Sequence, residues 1–194
     1  DRRQRQMCIR DRLNMKSIIE GERALCFWLS QQTEVSLNHP DEKTRQEASD
    51  YVSLMTPVVK SLFTDLAMEI TSDAMQIHGG YGYTKDQGIE QLYRDNRITP
   101  IYEGTNSVQA SDLVFRKLSN KNGNIINKFL DQVKSECKTD NEKIKPFLSE
   151  FNKNLDTLKK FSDWMTDKAK TEKDDVSAGA NDYLKTLGLS LIHI

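Results

Sequence analysis

Apolar positions recur at three- and four-residue intervals along most of the chain, and no run alternates for long enough to make a strand. The expected fold class is therefore all-α. From Leu13 to Ser30 the set Met15, Ile18, Ile19, Leu25, Trp28 and Leu29 predicts one helix, broken by the polar run through Ser36, Asn38, His39 and Pro40. Asp41 is placed to cap the next segment, with Thr44 and Glu47 in its early turns. Val59, Leu62, Phe63, Leu66, Ile70, Ala74 and Ile77 then follow helical spacing, and Pro57 marks either a kink or a helix start. Ile89 to Arg97 predicts a short helix ended by Pro100, and Thr105 or Asn106 can cap another from Ser107 to Leu118. Residues 119–124 have linker composition. Beyond them, Ile126, Phe129, Leu130, Val133 and Cys137 outline one amphipathic helix, and Phe147, Leu148, Phe151, Leu155, Leu158, Phe161 and Met165 another. Thr171 to Gly179 reads as a charged loop, and Asn181 to Leu187 begins a last helix. Two helical units are thus expected to meet near residue 120.

Composition narrows the function classes. With 28 Lys and Arg against 29 Asp and Glu, the net charge of −1 supplies no field to recruit nucleic acid or an anionic membrane. A membrane span needs about 20 consecutive apolar residues, which the chain lacks. Cys8, Cys26 and Cys137 lie far apart with no CxxC, so neither a disulfide framework nor a structural metal site is expected. Free thiols suit a reducing compartment, and the expected location is cytoplasmic. Both ends look foreign: residues 1–12, with the block Met7-Cys8-Ile9-Arg10-Asp11-Arg12, and residues 189–194 resemble translated sequencing adaptor, which leaves 13–188 as the native segment.

Chemistry concentrates between residues 78 and 107. Five of the nine glycines fall between Gly79 and Gly104. The stretch His78-Gly79-Gly80-Tyr81-Gly82-Tyr83 could admit a phosphate or a dinucleotide to its backbone amides, or form a tight interhelical turn. It follows no strand and lacks GxGxxG spacing, so a Rossmann site fails its own context. In Ile101-Tyr102-Glu103-Gly104-Thr105-Asn106 a carboxylate lies between an aromatic and a glycine. Glu103 could serve as a general base with a raised pKa, or simply favour the positive end of the following helix. His78 reads as a turn or packing residue. Cys26, beside Phe27 and Trp28, reads as core, as does the phenylalanine stripe after residue 130.

Taken together, Gln76-Ile77-His78-Gly79-Gly80-Tyr81-Gly82-Tyr83, then Tyr93-Arg94-Asp95, then Ile101-Tyr102-Glu103-Gly104-Thr105 resemble the C-terminal helical domain of the acyl-CoA dehydrogenases in order, spacing and residue type. The resemblance covers residues 13–118 and implies an up-and-down helical bundle. The tail 125–188, ending in Asp182-Tyr183-Leu184-Lys185-Thr186-Leu187-Gly188, is similar to the helical extension of a longer subgroup that includes the 3-methylmercaptopropionyl-CoA dehydrogenases. It would be a partial second helical domain.

The resemblance implies FAD as cofactor and an acyl-CoA thioester as substrate. Glu103 matches the base that removes the α-proton while a β-hydride passes to the flavin. Tyr102 would flank the thioester and Gly104 would lie against the substrate. The backbone amide at Glu103 would stabilise the enolate-like oxygen. Thr105 and Ser107 would approach the flavin of the same subunit, although Ser107 stands where many members have glutamine. Gln76, Gly79 and Gly80 would line the adenine side of the dinucleotide from a neighbouring subunit. Arg94 and Asp95 would form a structural ion pair. Electron-transfer flavoprotein is the implied partner and a homodimer or homotetramer the implied assembly. An acyl-CoA oxidase, or a helical interaction module that has lost catalysis, are the alternatives. Lacking the family's N-terminal helical and middle β-domains, the 194-residue chain is expected not to oxidise an acyl-CoA by itself.

Overall fold

The computed structural model describes residues 2–118, 124–137 and 141–192, with side chains from Arg5 onward. Its regular elements are all helical: α1 (Arg2–Asn38), α2 (Glu42–His78), α3 (Gly80–Tyr83), α4 (Ile89–Asn96), α5 (Asn106–Asp112), α6 (Asn124–Glu136), α7 (Lys145–Lys168) and α8 (Lys173–Ile192). None of the described helices is long and apolar enough to cross a membrane.

Helix α2 is the axis of the molecule. It packs on α1, α4, α5, α6 and α8. The sequence explains its start: the Asp41 carboxylate accepts from the Thr44 amide at 2.9 Å and the Thr44 hydroxyl at 2.6 Å, satisfying a donor the first turn would otherwise leave unpaired. Its inward stripe, Tyr51, Leu54, Met55, Val58, Leu62 and Leu66, is buried. Of these, Tyr51, Leu54, Met55 and Val58 join Ala110, Leu113 and Val114 of the α5 region and Val176, Ala180, Tyr183, Leu184 and Leu187 of α8 in one core that also contains Ile126, Phe129, Leu155 and Met165. Each fully buried Leu or Val contributes on the order of 1.5–3 kcal/mol, so this apolar seam outweighs the surface ion pairs around it. Trp28, Tyr51 and Phe129, with ring centroids 5.5–6.1 Å apart, bring α1, α2 and α6 together.

Several local expectations change. Helix α1 runs to Asn38, because the polar residues after Ser30 include no Gly or Pro before Pro40 and sit on its solvent side. Pro57 starts no helix; it lies inside α2 with its ring buried. The segment expected as one helix from Ser107 to Leu118 is α5 followed by a π-helical turn over Leu113–Lys117. Most of the expected charged loop at 171–179 is the first half of α8. Asp174 and Asp175 fall in its first turn, where the helix dipole favours them, and Val176 and Ala180, four residues apart, are buried. Cys26 is exposed, as is Phe27, because the α1 register turns Leu25 and Trp28 inward instead. The phenylalanine stripe divides: Phe129 is core, Phe147 is 70% exposed, and Phe161 stacks on Trp164 at the surface. The linker expectation at 119–124 lies almost wholly outside the described residues.

Candidate functional site

Two irregular segments sit where the sequence concentrates its chemistry. At the first, α2 ends on Gly79 (φ +60°), whose amide donates to the Gln76 carbonyl at 3.1 Å, and α3 makes a single turn. Gly82 is buried there. A Cβ on it would stand 2.5 Å from the Met75 carbonyl oxygen, so only glycine lets α3 fold back onto α2. The opposite side of this turn is open, with nothing within 4 Å of where a Cβ on Gly79 or Gly80 would point.

The second segment is the loop between α4 and α5. Tyr102 donates its amide to the Ile98 carbonyl at 3.1 Å, and Asn106 donates its amide to the Pro100 carbonyl at 3.2 Å, closing residues 101–105 into a compact loop. At its tip Glu103 has φ +54°, alone among the described non-glycine residues in having a positive φ, and Gly104 follows at φ +84°. Two successive left-handed residues turn the chain sharply, and the glutamate bears a strain on the order of 1 kcal/mol.

What holds that strain is a polar tie to α2. Lys60, Ser61, Thr64 and Asp65 lie on one stripe of the helix, facing the loop. The Lys60 ammonium donates to the Gly104 carbonyl and to the Asn106 Oδ1, each at 2.8 Å. The two N–H groups of Asn106 Nδ2 are shared among Asp65 Oδ1 at 2.7 Å, Thr64 Oγ1 at 2.9 Å and the Ser61 carbonyl at 3.2 Å. Gln109 donates to the Glu103 carbonyl at 3.1 Å. Lys60 and Gln109 were not singled out from the sequence, and Asn106 only as a cap. No sequence signal marks Lys60, which occupies an ordinary polar position of an amphipathic helix.

The residues expected to bind ligand are all at the surface: Gln76, Gly79, Gly80, Tyr102, Glu103, Gly104, Thr105 and Ser107 are exposed. The structure brings Tyr102 to Ser107 together in one loop and leaves Gln76, Gly79 and Gly80 at the separate α2–α3 corner. Thr105 stands at the N-cap position of α5 without making a capping bond, and the side chains of Gln76, Thr105 and Ser107 bond no other described residue. Around them, Tyr81, Tyr83, Leu92, Ile98, Ile101, Tyr102 and Val108 expose large apolar groups. Arg94 pairs with Glu90 at 3.3 Å, while Asp95 accepts from Gln91; the expected pairing of Arg94 and Asp95 does not form, because each instead bonds the residue four positions earlier on its own face of α4. His78 is exposed, its Nδ1 2.9 Å from the Ala74 carbonyl.

Comparison with known proteins identifies the family. Residues 15–118 match the family described as acyl-CoA dehydrogenase, C-terminal domain. The chain is 38% identical over 125 residues to a 3-methylmercaptopropionyl-CoA dehydrogenase of Ruegeria pomeroyi, covering 62% of this chain and 20% of that protein. It is 32% identical over 139 residues to a butyryl-CoA dehydrogenase of Syntrophomonas wolfei, covering 72% and 22%. Among solved structures it resembles Caenorhabditis elegans ACDH-11 in complex with C11-CoA, with a TM-score of 0.75 at 25% identity over 92% of this chain and 30% of that one. The chain thus spans about a fifth of these curated relatives' length. With a family match over more than half its residues, the chain belongs to the acyl-CoA dehydrogenase C-terminal domain family.

Proposed function

We infer that this chain is the C-terminal helical portion of an FAD-dependent acyl-CoA dehydrogenase that desaturates an acyl-CoA thioester between its α and β carbons, with Glu103 as the base. The observation that carries the reading is the strained Glu103–Gly104 turn. A glutamate is held in the left-handed region by a dedicated set of hydrogen bonds and is presented outward instead of toward the core. A residue that only favoured the start of α5 would need no such conformation.

The residues suit the group they would hold. Gly79 and Gly80 offer open backbone for close approach, and the Gln76, Thr105 and Ser107 side chains have unused hydrogen-bonding capacity. When bound, FAD supplies the acceptor for the β-hydride. The chain's own part is to orient and deprotonate. Tyr102 flanks the thioester, and the Glu103 amide, which donates to no described acceptor, is free to bond the thioester oxygen as negative charge builds there. The Glu103 carboxylate takes the α-proton. That the structurally similar ACDH-11 forms a complex with C11-CoA supports an acyl-CoA as the ligand class. The exposed apolar groups from Tyr81 to Val108 are the surface that the rest of the enzyme would cover. Electron-transfer flavoprotein would receive the electrons, and a homodimer or homotetramer would complete the flavin site.

The test is Glu103→Gln in the full-length enzyme. The variant should bind FAD as the parent does yet lose turnover by at least about 10²–10⁴-fold, with α-proton exchange into deuterated solvent lost as well. Undiminished turnover removes Glu103 as the base. Reduction of oxygen in preference to electron-transfer flavoprotein would make the enzyme an acyl-CoA oxidase.

A further inference from the structure

We propose that Lys60 is a positioning residue for Glu103: its ammonium clamps the carbonyl of Gly104 and, through the Asn106 carboxamide, holds the turn that aims the carboxylate. The inference rests on the reading of Glu103 as base and adds the residue that keeps it in place.

The argument is one of donors and acceptors. The left-handed pair at 103–104 turns the Gly104 carbonyl toward α2, where it needs a partner within reach. Lys60 supplies it from the middle of a helix already fixed in the core by Val58 and Leu62 on either side. An ammonium has three donors and no acceptor, so one group can serve two oxygens, Gly104 O and Asn106 Oδ1. Asn106 is thereby oriented, with its oxygen on the cation and its nitrogen on the Asp65 carboxylate. The amide bridges an ammonium and a carboxylate on the same helix, and charge-assisted bonds at both ends are stronger than neutral ones. Asn106 is also the residue whose backbone N–H closes the loop on Pro100. Loop and helix are therefore connected twice through adjacent atoms. Few apolar contacts assist, since Ile101 and Tyr102 are about half exposed. Placement of the base depends on this tie more than on packing.

Lys60→Met keeps the aliphatic stem and removes the donors. In the 194-residue chain, amide exchange read by NMR should accelerate at least about tenfold at Asn106 and Tyr102, the loop-closing donors, and stay unchanged at Leu62 and Leu66 in α2. Asn106→Ala should give the same local pattern. Lys60→Arg, which can still direct two donors, should restore most of the protection. In the full-length flavin-loaded enzyme, Lys60→Met should lower kcat on the order of 10²-fold with KM within about twofold, again recovered in part by Arg. Unchanged loop exchange overturns the clamp. A loosened loop with unaltered kcat overturns its catalytic role. If both variants release α2 together with the loop, Lys60 is a general stabiliser and the proposal falls. None of these outcomes depends on Glu103→Gln, whose full activity would remove the base assignment separately.

Discussion

The seam between α2 and α8 and the loop between α4 and α5 are built on opposite principles. The seam is apolar and closed: Val58, Leu62, Leu187 and Gly188 meet with no room left, and a Cβ on Gly188 would stand 2.6 Å from Leu62 Cδ2. The loop is polar and open, with Tyr102 48% exposed and its conformation fixed by side-chain hydrogen bonds to one stripe of α2. Apolar contact gives free energy but little direction, because dispersion and hydrophobic burial depend on area and density. Hydrogen bonds give little net free energy but fix atoms to within tenths of an ångström. A reactive carboxylate needs the second kind of support, placed on a helix immobilised by the first.

The largest expected effect comes from breaking the seam. Leu62→Ala should cost about 2–5 kcal/mol in urea denaturation, since the side chain is fully buried and touches α8 across Gly188. A cost below about 1 kcal/mol would mean that α8 is not seated there. The next effect is smaller and lies in the tail. Tyr183 and Ser162 are buried and their hydroxyls are 2.7 Å apart, joining α8 to α7. Burial pushes the Tyr183 pKa well up, the hydroxyl bond notwithstanding. Tyr183→Phe should cost about 1 kcal/mol, because Ser162 keeps the Leu158 carbonyl as acceptor. A loss of several kcal/mol would show that α7 and α8 depend on the bond and not on packing.

The periodicity of the chain made the helices legible, but not the ends of α1 or α8. Polar residues on a solvent face look the same as a loop until a helix is known to have a buried side, which is how Asp174 and Asp175 concealed the start of α8. The motif around Glu103 was legible as residues; its support was not. Lys60 and Asp65 read as ordinary solvated positions of an amphipathic helix, and only folding brings them against Gly104 and Asn106, more than 40 residues away. Cys26 failed for the converse reason: an apolar neighbourhood in sequence is not a face, and a shift of one residue along a helix turns a side chain by about 100°.

A third effect tests whether the apolar interior tolerates a stray charge. Glu22 on α1 has Oε1 buried without a partner, and burial raises its pKa from 4.5 to about 7. Between those values the folded chain keeps a proton that the unfolded chain releases. Stability should therefore fall as pH rises from about 4.5 to 7 and level off above it. Because the residue is partly exposed, water screens the cost to about 1 kcal/mol. Glu22→Gln should flatten that portion of the profile; an unchanged slope would assign it to other groups.

The smallest effect is the sharpest control on the clamp. Lys185 on α8 reaches Glu69 on α2 at 3.4 Å, an ion pair between side chains each about half exposed. It resembles the Lys60 tie in residue type and in using α2, yet its partner is an exposed carboxylate at the rim. Lys60's partners are a backbone carbonyl and an amide oriented by three other bonds. Such rim pairs contribute about 0–0.5 kcal/mol, and salt weakens them further. Lys185→Met should thus leave the urea midpoint nearly unmoved, and its slight effect should vanish in about 1 M salt. Exchange at Asn106 should not respond at all. If Lys185→Met loosened the loop as Lys60→Met does, loss of any lysine from α2's surroundings would suffice, and the distinction between a tie that directs and a pair that merely attracts would collapse.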